Sequence, residues 1–251
     1  MNEKNGGGIG ITGTRTGQSR PASWERTLAP LKACIALAAT ILFLAVPVAS
    51  PGASDIAARM QRTYSETSTF TADFEQTLTH RESGAVEKRQ GSLQFRKPML
   101  VRWETVKPAR ELLTVTPKEV WNYLPDEEVA YRYPLSVVQD SRSIIQVLTG
   151  QAALTKDFDV KEKGSEAGTT TLLLYPKEPS TQLVEARLTI ETSTGFIQRA
   201  VLADFYGNLN DVRFTRLVPN ASLPASAFTF TPPKGVEVED RSKDAGGKLL
   251  N

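Results

Sequence analysis

The sequence predicts a mainly β fold with helices (α+β): a curved antiparallel sheet of about ten strands with helices on its inner side. Three observations carry that prediction. From Phe70 onward, apolar and polar residues alternate with a period of two, in short runs separated by turn residues. A segment with helical spacing precedes the first run. A second one interrupts the runs in mid-chain, where an ordinary sandwich has no use for a helix.

Everything before the first helix reads as leader. Of the 251 residues, 1–33 are rich in Gly and Thr, carry Arg15, Arg20, Arg26 and Lys32, and show no apolar periodicity. Residues 33–48 form an uncharged apolar run, shorter than the roughly 20 residues that span a bilayer core. Ala49, Ser50, Pro51, Gly52, Ala53 and Ser54 follow at once. A basic flank, a short apolar core and a small-residue exit together read as a secretory signal peptide. Residues 1–53 are therefore expected to be removed, the competing reading being a permanent membrane anchor. The long basic front also allows a true start downstream of Met1.

Cys34 is the one cysteine. A lipid-attachment cysteine sits at the end of an apolar run, whereas this one begins it and follows Lys32 closely. Cleavage near residues 49–54 leaves a mature chain without a disulfide. At and beyond Asp55 lie 25 of the 30 Lys and Arg and 26 of the 28 Asp and Glu, a net charge of −1. That balance offers no basic surface of the kind nucleic acid requires. The remaining roughly 200 residues suffice for one domain with a sizeable core. It is placed at 54–240, with a polar tail at 241–251.

Residues 54–64 predict a helix, capped by Ser54 or Asp55, with Ile56, Met60 and Tyr64 on one face. Phe70, Ala72, Phe74, Gln76 and Leu78 then alternate with polar neighbours, and Ser83-Gly84 turns the chain. A second alternating run passes through 91–95, Pro98 interrupts, and 100–105 resumes around Trp103. Strands at 111–116, 119–124 and 128–133 are separated by Thr116-Pro117-Lys118 and Pro125-Asp126. Residues 140–148 break the pattern. Ile144, Ile145 and Leu148 have helical spacing there, with Asp140 or Ser141 as cap and Gly150 as stop. Strands follow at 170–175, 184–191, 197–204, 209–218 and 228–231, with a hairpin turn at Ser193-Thr194-Gly195.

A search for reaction chemistry returns nothing. His80 is the one histidine, and without a mature cysteine no His/Cys metal cluster can be built. No serine sits in a nucleophile elbow to partner it. The glycines at 6–8 and 10 follow no strand and make no phosphate loop. Asp204, ahead of Phe205-Tyr206-Gly207-Asn208, reads as turn chemistry. The expectation is a protein that is not an enzyme and takes no metal or cofactor.

Several stretches carry a resemblance. Phe74-Glu75-Gln76, the run from Gly91 through Phe95-Arg96-Lys97-Pro98 to Trp103, and the run from Phe228 through Pro232-Pro233 to Val236 resemble the periplasmic outer-membrane lipoprotein carriers, the LolA family. Glu104-Thr105-Val106-Lys107-Pro108, Val120-Trp121-Asn122-Tyr123 and Gly207-Asn208 support it, and the resemblance runs from about residue 55 to 239. It implies an incomplete antiparallel β-barrel of ten or eleven strands closed by short lid helices. It also implies a monomeric periplasmic shuttle. Such a shuttle takes acylated lipoproteins from an ATP-driven inner-membrane releasing complex and hands them to an outer-membrane lipoprotein acceptor. A lipid-sensing or glycolipid-binding module on the same fold is the alternative.

In that family a basic residue just before this proline hydrogen-bonds lid carbonyls and keeps the empty cavity shut. By position the role falls to Lys97, with neighbouring Arg96 a candidate to share it. Period two puts Leu93, Phe95 and Lys97 on one strand face. Arginine is usual there, and lysine lacks its fork of donors. Phe70, Phe74, Leu93, Phe95, Leu100, Val101, Trp103, Leu113 and Trp121 are expected to line the cavity, with ordinary packing as the other reading of the two tryptophans. Ile56, Met60, Ile144, Ile145 and Leu148 are expected in the lid.

Overall fold

The computed structural model describes residues 53–139 and 143–243. The expected signal peptide, the Asp140 or Ser141 cap and most of the polar tail lie outside them. The chain begins with helix α1 (Ala53–Glu66) and continues through β1 (Thr69–Thr79), β2 (Val86–Arg96), β3 (Leu100–Lys107), β4 (Glu111–Val115), β5 (Val120–Leu124) and β6 (Val129–Tyr133). Three short helices follow: α2 (Ser136–Gln139), α3 (Ile144–Leu148) and α4 (Leu154–Asp157). The second half holds β7 (Phe158–Glu166), β8 (Thr169–Pro176), β9 (Glu185–Glu191), β10 (Ile197–Ala203), β11 (Leu209–Pro219), a 3-10 turn (Ala225–Phe228) and β12 (Glu237–Asp240).

The strands form one open sheet of twelve, ordered β12-β6-β5-β4-β3-β2-β1-β11-β10-β9-β8-β7, and its two edge strands do not pair with each other. β12 runs parallel to β6, and the other neighbours are antiparallel. The incomplete sheet and its short helices are thus as expected, with more elements of each kind. β7, β12, α2 and α4 are additional. Residues 228–231 are a correction: they form the end of a 3-10 turn and an irregular stretch, not a strand. Phe228 and Phe230 mimic strand alternation, but Pro224, Pro232 and Pro233 bracket them and cannot donate to a ladder.

One face of the sheet carries the core. In β1 the residues Phe70, Ala72, Phe74, Gln76 and Leu78 are all buried, as period two requires. α1 buries Ile56, Ala57, Met60 and Tyr64 against this face and packs on β7, β8 and α4, while α3 packs on β10 and α2. The cap of α3 is Ser143, whose side chain accepts from Gln146 N at 3.3 Å. Gly150 ends the turn after α3 with φ +69°.

Two glycines fit because they lack a side chain. A Cβ on Gly91 in β2 would lie 1.9 Å from Glu104 O and 2.8 Å from Phe74 Cε1, so the Phe74 ring occupies the place of a side chain there. A Cβ on Gly150 would lie 2.2 Å from Tyr64 Cγ, where the α3 turn meets α1. Gly91→Ala is expected to lower stability by about 1–3 kcal/mol through backbone overpacking, read as a reduced denaturant midpoint at unchanged slope. Gly150→Ala adds left-handed strain to the same kind of clash. It should likewise cost about 1–3 kcal/mol, seen as a fall of several degrees in Tm.

Candidate functional site

The inner face of β1–β6 is ordered in rows across the strands. The row nearest the C-terminal end of α1 is Phe70–Phe95–Val101–Val115–Val120–Tyr133. The next is Ala72–Leu93–Trp103–Leu113–Asn122–Tyr131. Behind these come Phe74–Gly91–Thr105–Glu111 and the pair Gln76–Arg89. Phe70 lies against Phe95 with ring centroids 5.2 Å apart, and Phe74 against Trp103 at 4.4 Å. The first row is apolar up to Tyr133, Asn122 brings an amide into the second, and the charged groups lie in the far rows. There Arg89 pairs with Glu87 at 2.7 Å and with Glu111 at 3.0 Å, and Glu111 accepts from Asn122 Nδ2 at 2.9 Å.

α1 closes the apolar end. Its Tyr64 ring meets Phe70 edge-on at 5.9 Å and Phe196 at 5.4 Å, and its hydroxyl oxygen accepts from Ile197 N at 3.3 Å. Burial pushes the Tyr64 hydroxyl well above the ordinary phenol range. Beside it, Ile145, Val147 and Leu148 of α3 are fully buried. Gln146 Nε2 donates to Val138 O at 2.8 Å and so ties α3 to α2. Thr63 Oγ1 donates to Thr194 O at 2.5 Å, fastening α1 to the turn between β9 and β10.

Lys97 reaches the end of this cover. Its Nζ donates to Ser65 O in the last turn of α1, and its backbone N donates to Ser68 O at 2.9 Å. The last carbonyls of a helix lack intrahelical partners and carry partial negative charge. α1 has no basic residue of its own in that turn, so Lys97 supplies the cation from the sheet. Arg96 points the other way. Its Nη1 donates to Leu223 O at 3.2 Å, on the segment that follows β11.

The structure brings most of the expected residues together. Ile56, Met60, Ile145 and Leu148 in the helices and Phe70, Phe74, Leu93, Phe95, Val101, Trp103 and Leu113 on the sheet belong to one buried cluster. The Ile144 side chain lies outside the described atoms. Two residues are corrections. Leu100 is paired with Arg96 and lies on the face opposite Val101. Trp121 is paired with Thr114, one place out of step with the inner pair Val115–Val120. It is buried from the outer side instead, by Phe230 at 5.8 Å, which also meets Tyr123 at 5.2 Å. Val115, Val120 and the Arg89–Glu111 pair are inner-face residues not anticipated in the sequence. Val115 and Val120 could have been found by following parity through the turn between β4 and β5.

His80 and Asp204, the two groups a hydrolase would draw on, sit in turns. His80 is exposed and closes the turn between β1 and β2, donating from its backbone N to Ala85 O at 2.9 Å. The Asp204 carboxylate accepts from Asn208 N and Asn208 Nδ2, both at 2.9 Å. No group of three or more His, Cys, Asp or Glu among the described residues could hold a metal ion.

Known proteins agree with this arrangement. A family model described as "Outer membrane lipoprotein carrier protein LolA" matches residues 65–231. The outer-membrane lipoprotein carrier protein of Dechloromonas aromatica is 29% identical over 203 residues, covering 80% of this chain and 94% of that one. Its counterpart in Chromobacterium violaceum is 28% identical over 199 residues, covering 79% and 94%. Among solved structures, an uncharacterized conserved protein from Thermus thermophilus shares the fold with a TM-score of 0.51 at 18% identity, over 75% of this chain and 99% of that one. The family match runs from the last turn of α1 into the Phe230 segment, and the chain belongs to the LolA family of outer membrane lipoprotein carrier proteins.

Proposed function

We propose that this protein is a periplasmic chaperone that holds the acyl chains of lipoproteins on the inner face of its open sheet. The observation that carries the reading is a continuous apolar face whose cover is a set of short helices rather than a second sheet. A buried methylene is worth roughly 0.8 kcal/mol, so one 16-carbon chain in water costs on the order of 12 kcal/mol. Unaided transfer between two membranes is then negligible, and a soluble apolar host removes the barrier. Binding and release require no bond to form or break. The energy of extraction comes from an ATP-driven releasing complex in the inner membrane, and the cargo leaves to an outer-membrane lipoprotein acceptor.

In this reading Lys97 is the latch. Acyl chains that displace α1 break its bond to Ser65 O, and the bond reforms when the cargo leaves. The cavity is lined by Phe70, Phe74, Leu93, Phe95, Val101, Trp103 and Leu113, with Ile56, Met60, Ile145 and Leu148 as the residues that give way. Arg96 holds the opposite side of the sheet to the Leu223 segment and has a structural role.

Mature protein starting near Ser54 is expected to release newly made outer-membrane lipoprotein from Gram-negative spheroplasts as a soluble one-to-one complex. That complex should then deliver its cargo to outer-membrane vesicles. Absence of release with a compatible releasing complex present would leave the fold standing and favour a lipid-sensing module. Lys97→Leu should still load lipoprotein but reclose abnormally after discharge. Its empty form should lose about 1 kcal/mol, near 2–4 °C in Tm for a domain of this size. Transfer kinetics identical to the unmutated protein would remove Lys97 from the latch role.

A further inference from the structure

α1 is fastened to the sheet on two sides, and the two fastenings differ in number and in surroundings. Toward β10 it meets the turn after β9. Thr63 Oγ1 donates to Thr194 O at 2.5 Å, Arg59 Nη1 donates to Ser193 O at 3.5 Å, and the Tyr64 hydroxyl accepts from Ile197 N at 3.3 Å. Helix and turn lie so close that a Cβ on Gly195 would stand 2.8 Å from Thr63 Oγ1 and 3.2 Å from the Arg59 carbonyl carbon. Toward β2 the fastening is the Lys97 bond to Ser65 O. β11 and β1 lie between β10 and β2, so the last turns of α1 bridge four neighbouring strands.

The two sides do not part at equal cost. Ser65 is exposed and Lys97 half-buried, so water takes over both ends of their bond when it opens. Tyr64 and Ile197 are 1% and 0% exposed. An acyl chain driven between them brings neither donor nor acceptor, which would leave a buried N–H and a buried hydroxyl unpaired. The Tyr64 ring adds to the difference. It packs on Phe196 of the turn and on the backbone of Gly150 after α3. Toward β1 its neighbour is Phe70, an apolar contact that an acyl chain can replace without loss.

The chain directly after α1 is pinned to the rest of the sheet. Ser68 N donates to Asn220 Oδ1 at 3.1 Å, Lys97 N donates to Ser68 O at 2.9 Å, and Thr69 Oγ1 donates to Ala221 O at 2.6 Å. Thr67 stays with the helix, since its N and Oγ1 both donate to Thr63 O. Ser68 is therefore the residue at which a movement of α1 would be taken up.

We propose that α1 and the turn between β9 and β10 move as one body about Ser68, and that the cover opens along a seam between Tyr64 and Phe70 and between Ser65 and Lys97. This assignment rests on the carrier reading and adds to it the side on which acyl chains enter, that of β1 and β2. Arg59, Thr63 and Tyr64 are positioning residues: they decide which side of the helix parts from the sheet.

A disulfide tests this directly. Thr63→Cys with Gly195→Cys brings two cysteines within the reach of such a bond, in a chain that has no other when it begins at Ser54. The reduced form is the reference, so the strain of a side chain at φ +82° on residue 195 is common to both forms. The oxidised form should take lipoprotein from spheroplasts and deliver it to vesicles within about twofold of the reduced form, because the lock joins parts that already move together. A fall of about tenfold or more in loading on oxidation, recovered with dithiothreitol, overturns the proposal. Amide exchange on the unmutated protein decides the same question without a variant. The Ile197 N–H should keep its protection in the loaded complex, while the Lys97 amine reacts faster with an acylating reagent. Exchange at Ile197 that quickens about tenfold or more on loading overturns the shared movement and leaves the carrier reading intact. Failure of the unmutated protein to take up lipoprotein overturns the carrier reading and the seam with it.

Discussion

The structure depends on how the inner face of an unclosed sheet is kept from water. The twelve strands lie in a row with the buried cluster on one face, and among the described residues no second sheet covers it. The cover is α1 with three helices of four or five residues each. Helices that short do not form alone, since isolated helices below about 12–15 residues are marginal in water. They are ordered by what they touch. Ile56, Met60, Tyr64, Ile145 and Leu148 each gain about 1.5–3 kcal/mol on burial, and any other apolar body of similar area on the same face would gain as much. On the proposed reading, such a cover is stable while the site is empty and exchangeable when acyl chains arrive.

On the proposed opening of the helices, the opposite face gives the sheet a means of keeping its shape. The segment after β11 crosses back over the outer side. Arg96 binds it at Leu223, the 3-10 turn packs on β3, and Phe230 sits on Trp121 and Tyr123. The segment ends as β12, which pairs with β6 and caps that edge of the sheet. The other edge, β7, is guarded differently. It carries Lys161, Glu162, Lys163 and Glu166 with a register shift near Gly164, which discourages pairing with another chain. Both devices act away from the inner face, so opening the helices need not disturb them.

Most of the sheet was legible because β1, β3, β8 and β9 alternate between buried and unburied positions, and β10 does so after the irregularity at Gln198. β7 was not, because only Phe158 and Val160 are apolar in a run otherwise charged or small, and an edge strand needs no alternation. β12, with the sequence EVED, is hidden for the same reason. Trp121 was misplaced because both faces of β5 are covered, so Val120 and Trp121 are both buried and composition cannot say which faces inward. Parity settles it once the register with Val115 is known. The position of Lys97 was the opposite case. Counting by twos from Leu93 and Phe95 put it on the inner side before any helix was placed, and its Nζ meets the end of α1.

The use of lysine there bears on what a latch can do. Its ammonium makes one described bond, to Ser65 O, from a half-buried position, where an arginine would offer a planar fork to several carbonyls. Such a bond is worth about 1 kcal/mol against a helix terminus, whereas burying one acyl chain is worth on the order of 12 kcal/mol. The latch we propose is therefore too weak to decide whether cargo binds. It acts on the empty protein, where a difference of about 1.4 kcal/mol changes the closed-to-open ratio tenfold. On that proposal discharge has to be driven by a stronger host for the chains, with Lys97 governing how completely the cover returns once they have gone.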